Sequence, residues 1–139
     1  ITGTAHLRGT ARTFNNELRN AYPEMLTRLA DGVAKSTRTN IDIAYHMGPP
    51  PMINSDECVD TGRKAGEKVF GKEHLIEHEL QMGGEDFAKY KNPKCLLLLG
   101  GGWPEESRQY PQHSPYFDID ESVLKLGVEY FVQCVLEYK

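Results

Sequence analysis

A chain of 139 residues is about the size of one typical domain and is long enough to bury a core. Its 39% hydrophobic and 26% charged residues are typical of globular proteins and exclude disordered and fibrous classes. A net charge of −4, with lysine and arginine scattered along the chain, argues against a nucleic-acid partner, because such affinity depends on clustered cations. The longest aliphatic run, residues 95–100, is far shorter than the roughly 20 residues needed to cross a bilayer, so we expect no membrane partner.

The three cysteines, Cys58, Cys95 and Cys134, lie far apart in the sequence and form no CxxC pair. Isolated thiols of this kind are typical of reduced core cysteines, which favours a cytoplasmic location. The chain begins ITGTAHLRG, without Met and without a basic and apolar leader, so we expect no signal peptide. This start also suggests that the sequence is part of a longer protein.

The first predicted elements are a strand, a helix and a second strand. Residues 4–14 and residues 39–47 alternate apolar or small side chains with polar ones, which is typical of half-exposed strands. Pro23 should kink the helix between them or delay its start. The apolar positions at helical spacing are Leu18, Tyr22, Met25, Leu26, Leu29 and Val33.

The segment GPPPMIN, residues 48–54, is the clearest boundary, since three prolines disfavour both a helix and a sheet interior. Asn54 and Glu57 then resemble a capping box for a helix that reaches Phe70 and ends at Gly71. Beyond it we predict a short strand in HLIEHEL, a short helix in GGEDFAKY, a buried strand in CLLLLG and a last helix from about Asp120.

This order of elements predicts an α/β fold in which helices cover a sheet. The first piece offers only two strands, and the second contains a continuously hydrophobic strand that needs neighbours on both sides. We therefore expect the missing strands to come from elsewhere in the protein or from a partner.

His113 follows the predicted buried strand, on the polar loop before the last helix. Open α/β sheets bind ligands at the carboxyl ends of their strands, and imidazole is the commonest nitrogen donor to zinc. His113 is therefore a candidate metal ligand. The alternative is a surface histidine with a single hydrogen bond.

The stretch QMGGEDF is the second candidate. Gly83 and Gly84 would let a ligand approach the backbone closely, and a helix beginning there would favour an anion at its free N–H groups. Glu85 and Asp86 would lie in the first helical turn, where the helix dipole stabilises them. The alternative is a plain turn with acidic capping residues.

The segment HLIEH matches the H-x-x-E-H pattern, in which two histidines on a helix bind zinc and a glutamate acts as a base. The helix available between Gly71 and Gly83 is too short. In a strand, His74 and His78 would lie about 13 Å apart, too far to share one ion. We therefore interpret the match as fortuitous.

Five motifs occur in a fixed order: RGTARTF, GPPPMINSDE, QMGGEDF, the leucine strand running into GGG, and HSPYFDIDE. Together they resemble the carboxy-terminal part of the dinuclear-metal amidohydrolases and peptidases, which include aminoacylase, carboxypeptidase G, hippurate hydrolase and auxin-conjugate hydrolase. The resemblance covers nearly the whole chain and is closest to the hippurate and auxin-conjugate branch.

The resemblance implies a division of the chain. Residues 1–47 would be the carboxy-terminal part of a ferredoxin-like lid, a strand–helix–strand unit that also mediates dimerisation. Residues 48–53 would be a hinge, and residues 54–139 the carboxy-terminal part of an α/β metallohydrolase catalytic domain. A homodimer formed through the lid is therefore expected.

The resemblance also implies roles for individual residues. His113 would be the last metal ligand, and Gly83, Gly84 and Glu85 would line the substrate pocket. Arg12 would be the lid arginine that reaches the substrate carboxylate, a role that suits the bidentate donors of a guanidinium.

Two divalent ions (Zn, Mn or Co) are expected in the intact enzyme, and this chain would supply one ligand. The family's other ligands and its glutamate base belong to an amino-terminal part that this sequence lacks. Glu105 and Glu106 stand on the wrong side of the lid segment to replace them, so no catalytic residue is assigned.

The sequence thus predicts a portion of a metal-dependent amidohydrolase that cleaves the amide bond of N-acyl amino acids or similar conjugates. The chain alone should be inactive, because one imidazole cannot hold a catalytic ion. The alternative is a non-catalytic dimerisation or interaction module derived from such an enzyme. A small zinc protease built on HLIEH is a third and weaker option.

Overall fold

The computed structural model describes residues 2–138. Three α-helices and three short 3₁₀-helices lie in this part of the chain, joined by extended segments and turns. The α-helices are α1 (Asn16–Thr37), α2 (Asp56–Phe70) and α3 (Val123–Glu137), and the 3₁₀-helices are Lys72–His74, Asp86–Lys89 and Glu106–Arg108. None of the helices in residues 2–138 is long and apolar enough to cross a membrane.

The predicted α/β fold is wrong for this chain, since residues 2–138 contain helices but no strand. Residues 4–14 and 39–47 are free of regular structure, so the strand–helix–strand lid is not formed. The predicted strands at residues 74–80 and 95–100 are absent as well. The physical reason is that alternation sets only the direction of side chains, whereas a strand also needs a neighbouring backbone with which to pair.

The three predicted α-helices are confirmed, because they rest on local signals, although some of the predicted ends are wrong. Helix α1 runs through Pro23, which excludes a late start, one of the two predicted outcomes at this proline. The Asn15 side chain accepts a hydrogen bond of 2.7 Å from the Leu18 N–H. Helix α2 ends at Gly71, as predicted, whose φ of 86° suits glycine. The predicted capping box is wrong: Asn54 instead bonds the Leu96 backbone, accepting from its N–H at 2.8 Å.

The chain forms two compact units. The first unit contains the residues up to Ile53 together with Leu80–Lys91, and the second contains Asn54–Glu79 and the residues from Asn92 onward. One boundary between the two units lies between residues 53 and 54, at the end of the proline-rich segment. Residues 80–91 belong to the first unit, whereas the resemblance assigns them to a catalytic domain, and that functional division stays a prediction.

The second unit is organised by the contact of α2 with α3. Gly62, Ala65 and Gly66 are buried on α2, and their small size lets the neighbouring side chains approach closely. The Tyr130 hydroxyl of α3 donates to the Gly62 carbonyl at 3.3 Å, and burial raises the pKa of this phenol. Phe70 stacks on the same ring, with 5.6 Å between the centroids. Tyr130 therefore fixes the spacing of the two helices.

The three cysteines all lie in the second unit and are free, in line with the predicted reduced thiols. Burial, followed by the neighbouring thiols of Cys58 and Cys134, raises the pKa of Cys95. A thiol with a raised pKa is a poorer nucleophile at neutral pH than an ordinary cysteine.

Candidate functional site

His113 lies on the loop between the leucine segment and α3, in the second unit. Its φ of 69° falls in the left-handed region, which a non-glycine residue adopts at a cost of about 1–2 kcal/mol. The turn is closed by the Ser114 N–H, which donates to the Pro111 carbonyl at 3.1 Å. The imidazole is exposed, and it has no hydrogen-bond or ion-pair partner within residues 2–138. Its ring nitrogens are therefore available to a ligand.

A cluster of three side chains ties the two ends of this loop together. The Trp103 indole N–H donates to Asp118 Oδ2 at 2.9 Å, and Arg108 Nη2 lies 3.3 Å from the same oxygen. The Arg108 guanidinium also lies over the indole, 3.2 Å from the ring centroid. We call Trp103, Arg108 and Asp118 the loop clamp. Because it joins residues 103 and 118, it limits the motion of the segment that presents His113.

The loop is also fixed where it enters α3. The Asp120 N–H donates to the Gly101 carbonyl at 2.9 Å, and Asp120 Oδ1 accepts from the Ser122 N–H at 2.9 Å. Hydrogen bonds from Ser122, first that of its side chain and then that of its backbone N–H, hold the pKa of the Asp120 carboxyl below its usual value. The Asp120 carboxylate therefore holds the backbone of the turn that leads into α3.

The metal prediction can be compared with the donors that the chain brings together. Within residues 2–138, no group of three or more His, Cys, Asp or Glu side chains could hold a metal ion. A protein site for zinc requires three or four such ligands. The described residues therefore do not form a dinuclear centre by themselves, and His113 offers one donor.

A second candidate site lies in the first unit. The structure brings Arg12 next to Gly84, since a Cβ built on this glycine would lie 2.7 Å from Arg12 Nη1. Arg12, Gly83 and Gly84 line one cavity of ≈ 80 Å³. Glu85, the fourth predicted residue, is half-buried, and its Oε1 accepts from the Phe87 N–H at 2.9 Å. Glu85 therefore caps the 3₁₀-helix Asp86–Lys89, and this hydrogen bond occupies one of its oxygens.

The zinc-protease pattern has no structural support. The 3₁₀-helix Lys72–His74 ends at the first histidine, and the residues that follow are not helical. Glu77, which would be the base, pairs with Arg63 at 2.7 Å. The interpretation of HLIEH as a fortuitous match is therefore consistent with the structure.

Two features were missed by the sequence reasoning. The loop clamp joins residues 15 positions apart, for which no short motif exists. Arg19 lies seven residues after Arg12 and lines the same cavity. No spacing or motif in the sequence indicates that these two arginines line one cavity.

Residues 4–137 match the family model described as Peptidase family M20/M25/M40, and the chain belongs to this family of hydrolases. The predicted membership of an amidohydrolase and peptidase family is therefore confirmed. The finer assignment to the hippurate and auxin-conjugate branch stays a prediction.

Three curated relatives illustrate the range of the similarity. A putative amidohydrolase of Bacillus subtilis, YhaA, is 29% identical over 99% of this chain and 35% of its own length. A putative glutamate–cysteine ligase of Rhodococcus jostii is 30% identical over 95% of this chain but only 17% of its own length. An N-acetylcysteine deacetylase of Bacillus subtilis is 30% identical over 96% of this chain and 34% of its own length. No solved structure matches the chain.

This chain thus spans between 17% and 35% of the length of these relatives. Two of these three relatives have names that describe hydrolysis of amides, whereas the other is named as a ligase and is matched over about a sixth of its length.

Proposed function

We propose that this chain is one portion of a metal-dependent amidohydrolase that cleaves the amide bond of N-acyl amino acids or similar conjugates. The observation that carries the proposal is the family match over residues 4–137. The relative named N-acetylcysteine deacetylase supports an N-acyl amino acid as the substrate class. A cytoplasmic location and the hippurate or auxin-conjugate branch remain part of the proposal.

In this proposal, the chain contributes binding and orientation. His113 would donate one imidazole nitrogen to a site of two divalent ions (Zn, Mn or Co), whose other ligands lie outside this chain. Such ions, when bound, acidify water and stabilise developing negative charge. Arg12, with Gly83 and Gly84 beside it, would hold the substrate carboxylate, and Glu85 would stabilise the adjacent turn. The chain by itself should be inactive, because it brings too few donors together.

A homodimer formed through the first unit is part of the same proposal. Residues 39–47 carry Ile41 and Ile43, which are 41% and 37% exposed, on a backbone segment that has no strand partner in residues 2–138. Exposed apolar side chains of this kind are available for contact with a second copy of the chain. Light scattering coupled to size exclusion tests this: a monomer at all concentrations would contradict it.

The proposed function is tested with the pure chain and a panel of N-acyl amino acids. With Zn, Mn or Co added, we expect no hydrolysis, but we expect binding of each acid and weaker binding of its methyl ester. Arg12→Gln should remove this difference between acid and ester. Turnover by the chain would contradict the claim of inactivity, and equal binding of acid and ester would contradict the role of Arg12.

A further inference from the structure

Two tyrosines flank His113 on its loop in the second unit. The rings of Tyr110 and Tyr116 are in contact, with 5.5 Å between the centroids and 43° between the planes. Each tyrosine stands three residues from His113, so the Cα atoms of both lie within about 11 Å of the His113 Cα. We call Tyr110 and Tyr116 the tyrosine pair. These two rings are the aromatic groups nearest along the chain to the candidate metal ligand.

The tyrosine pair is open to solvent. Tyr110 is 43% exposed and Tyr116 is 70% exposed, and neither hydroxyl has a hydrogen-bond partner within residues 2–138. The stacked rings of Phe70 and Tyr130 differ, because they are half-buried and pack α2 against α3. The tyrosine pair does not join two helices, and its outer ring surfaces are available to a ligand.

The backbone on both sides of the tyrosine pair is held in place. Gln109, the residue before the first tyrosine, donates from Nε2 to the Trp103 carbonyl at 2.7 Å. The Tyr116 N–H donates to Ser114 Oγ at 3.2 Å. Together with the loop clamp, these hydrogen bonds order the loop in the absence of a ligand. A ligand that contacts the rings therefore meets a surface that is already formed, which lowers the entropic cost of binding.

An aromatic ring is the ligand that this surface favours most. Aromatic rings prefer tilted or offset contacts with centroids about 4.5–7 Å apart, and such contacts contribute more than the apolar area that they bury. A third ring laid against the tyrosine pair can adopt this geometry with one or both tyrosines. An aliphatic group of similar size gains only the burial of area. The tyrosine pair should therefore discriminate between substrates with and without a ring.

We propose that the tyrosine pair is a specificity-determining subsite for one aromatic ring of the substrate, beside the metal that His113 would hold. This inference rests on the proposed function, because His113 marks the position of the amide only if it binds a metal there. It goes beyond that function, which assigns no residue to the acyl group or to the side chain of the amino acid.

The first test is an NMR titration of the full chain with zinc present, in which the ring protons of Tyr110 and Tyr116 are followed. The probes are N-acetylglycine, N-benzoylglycine and N-acetylphenylalanine, which share one amide and one carboxylate and differ in the ring. We expect ring-current shifts of both tyrosines with at least one aromatic acid and none with N-acetylglycine. The acid that gives the shifts identifies the side of the amide that the pair contacts. No such shift with either aromatic acid would overturn the subsite.

Variants with a matched control test the ring itself. Phe87 and Tyr90 form a similar pair in the first unit, with 5.3 Å between centroids and 48° between planes, and Tyr90 is 65% exposed. We expect Tyr116→Leu to weaken binding of the aromatic acid about threefold to tenfold and to leave that of N-acetylglycine unchanged. Tyr116→Phe should bind normally, and Tyr90→Leu should change neither affinity. Equal effects of Tyr116→Leu and Tyr90→Leu would overturn the subsite.

A further variant separates loss of ring contact from loss of loop order. Asp118→Ala loosens the loop clamp but keeps both tyrosine rings. We expect Tyr116→Leu to lower the preference for the aromatic acid over N-acetylglycine more than Asp118→Ala does. An equal loss in the two variants would show that Tyr116 acts only through the order of the loop, and the subsite would be wrong.

The methyl ester of the same aromatic acid separates this inference from the proposed function. If the ester binds as tightly as the acid and shifts the tyrosine signals equally, the subsite stands and the proposed recognition of a carboxylate fails. If the acid binds more tightly than the ester but the tyrosine signals do not move, the proposed function stands and the subsite fails.

Discussion

The two compact units of this chain differ in what holds them together. In the second unit, α2 and α3 pack through buried small residues, and Ala65 is fully buried. In the first unit, α1 has no buried residue, and Ala88, which is 6% exposed, is the one buried apolar side chain among the residues described there. Buried packing thus organises the second unit, whereas the described part of the first unit has little buried apolar surface. We therefore expect mutations in α2 and α3 of the second unit to change mainly stability, and mutations in the first unit to change mainly ligand binding.

The largest effect on the free energy of unfolding should come from a glycine-to-alanine substitution, made once in each unit. Gly62→Ala would place a Cβ 2.8 Å from both Leu97 Cδ1 and Tyr130 Oη, so we expect a loss of about 1–3 kcal/mol in the free energy of unfolding. Gly32→Ala, on α1, meets nothing within 4 Å and should gain about 1 kcal/mol through helix propensity. Urea unfolding followed by circular dichroism measures both. Equal effects would erase the contrast between the units.

The loop clamp gives the next largest effect. Asp118→Ala removes the acceptor shared by Trp103 and Arg108, and we expect it to cost about 1–2 kcal/mol of local stability. Hydrogen exchange in residues 104–117 should accelerate by about tenfold, with little change in α2. Asp60→Asn, on the exposed surface of α2, is the control and should leave this loop unchanged. If exchange in Asp118→Ala is as slow as in the unsubstituted chain, the loop clamp does not restrain the His113 loop.

A smaller effect concerns pH in the second unit. The hydrogen bond from Lys68, at 2.5 Å, and then that from Gln133 hold the pKa of Glu137 below its ordinary value of 4.5. The lowered folded pKa means that the stabilisation is fully present above pH 4.5 and is lost as the pH falls through that lower value. Glu137→Gln should therefore flatten the fall of stability with acid. An unchanged pH profile in this variant would show that the Lys68 contact does not stabilise the fold.

The smallest effect is expected at His113. Replacement by glycine removes the cost of the left-handed backbone but adds conformational freedom to the unfolded chain, so we expect a net change within about 1 kcal/mol. His113→Ala keeps the backbone cost and loses the imidazole, so it should be the less stable of the two variants. Thermal unfolding compares them. A more stable alanine variant would contradict the left-handed assignment.

The sequence predicted the three α-helices because helices depend on residues close in the chain. The apolar spacing of α1 and the glycine that ends α2, Gly71, are local signals of this kind. The strands failed because alternation cannot supply the neighbour that pairs with residues 39–47 or 95–100. Asn54 illustrates the same limit, since it satisfies the capping pattern and yet bonds Leu96, 42 residues away.

For the candidate sites, too, the sequence predicted what depends on nearby residues and missed what depends on contacts between distant ones. His113 could be selected because it stands on a loop before a helix, and Arg12 with the paired glycines could be selected by resemblance. The closeness of Arg12 to the paired glycines depends on how α1 and residues 80–91 fold together in the first unit, and so does the position of Arg19 in the same cavity. No periodicity in the sequence contains that information.

The central claim is that this chain binds the carboxylate of an amide substrate but cannot cleave the amide alone. The most direct test is one NMR series in which an N-acyl amino acid is added to the pure chain with zinc, and the Arg12 side-chain signal and the released amino acid are followed together. We predict a saturable shift of the Arg12 signal and no released product. Product formation, or an Arg12 signal that does not move, would contradict the account.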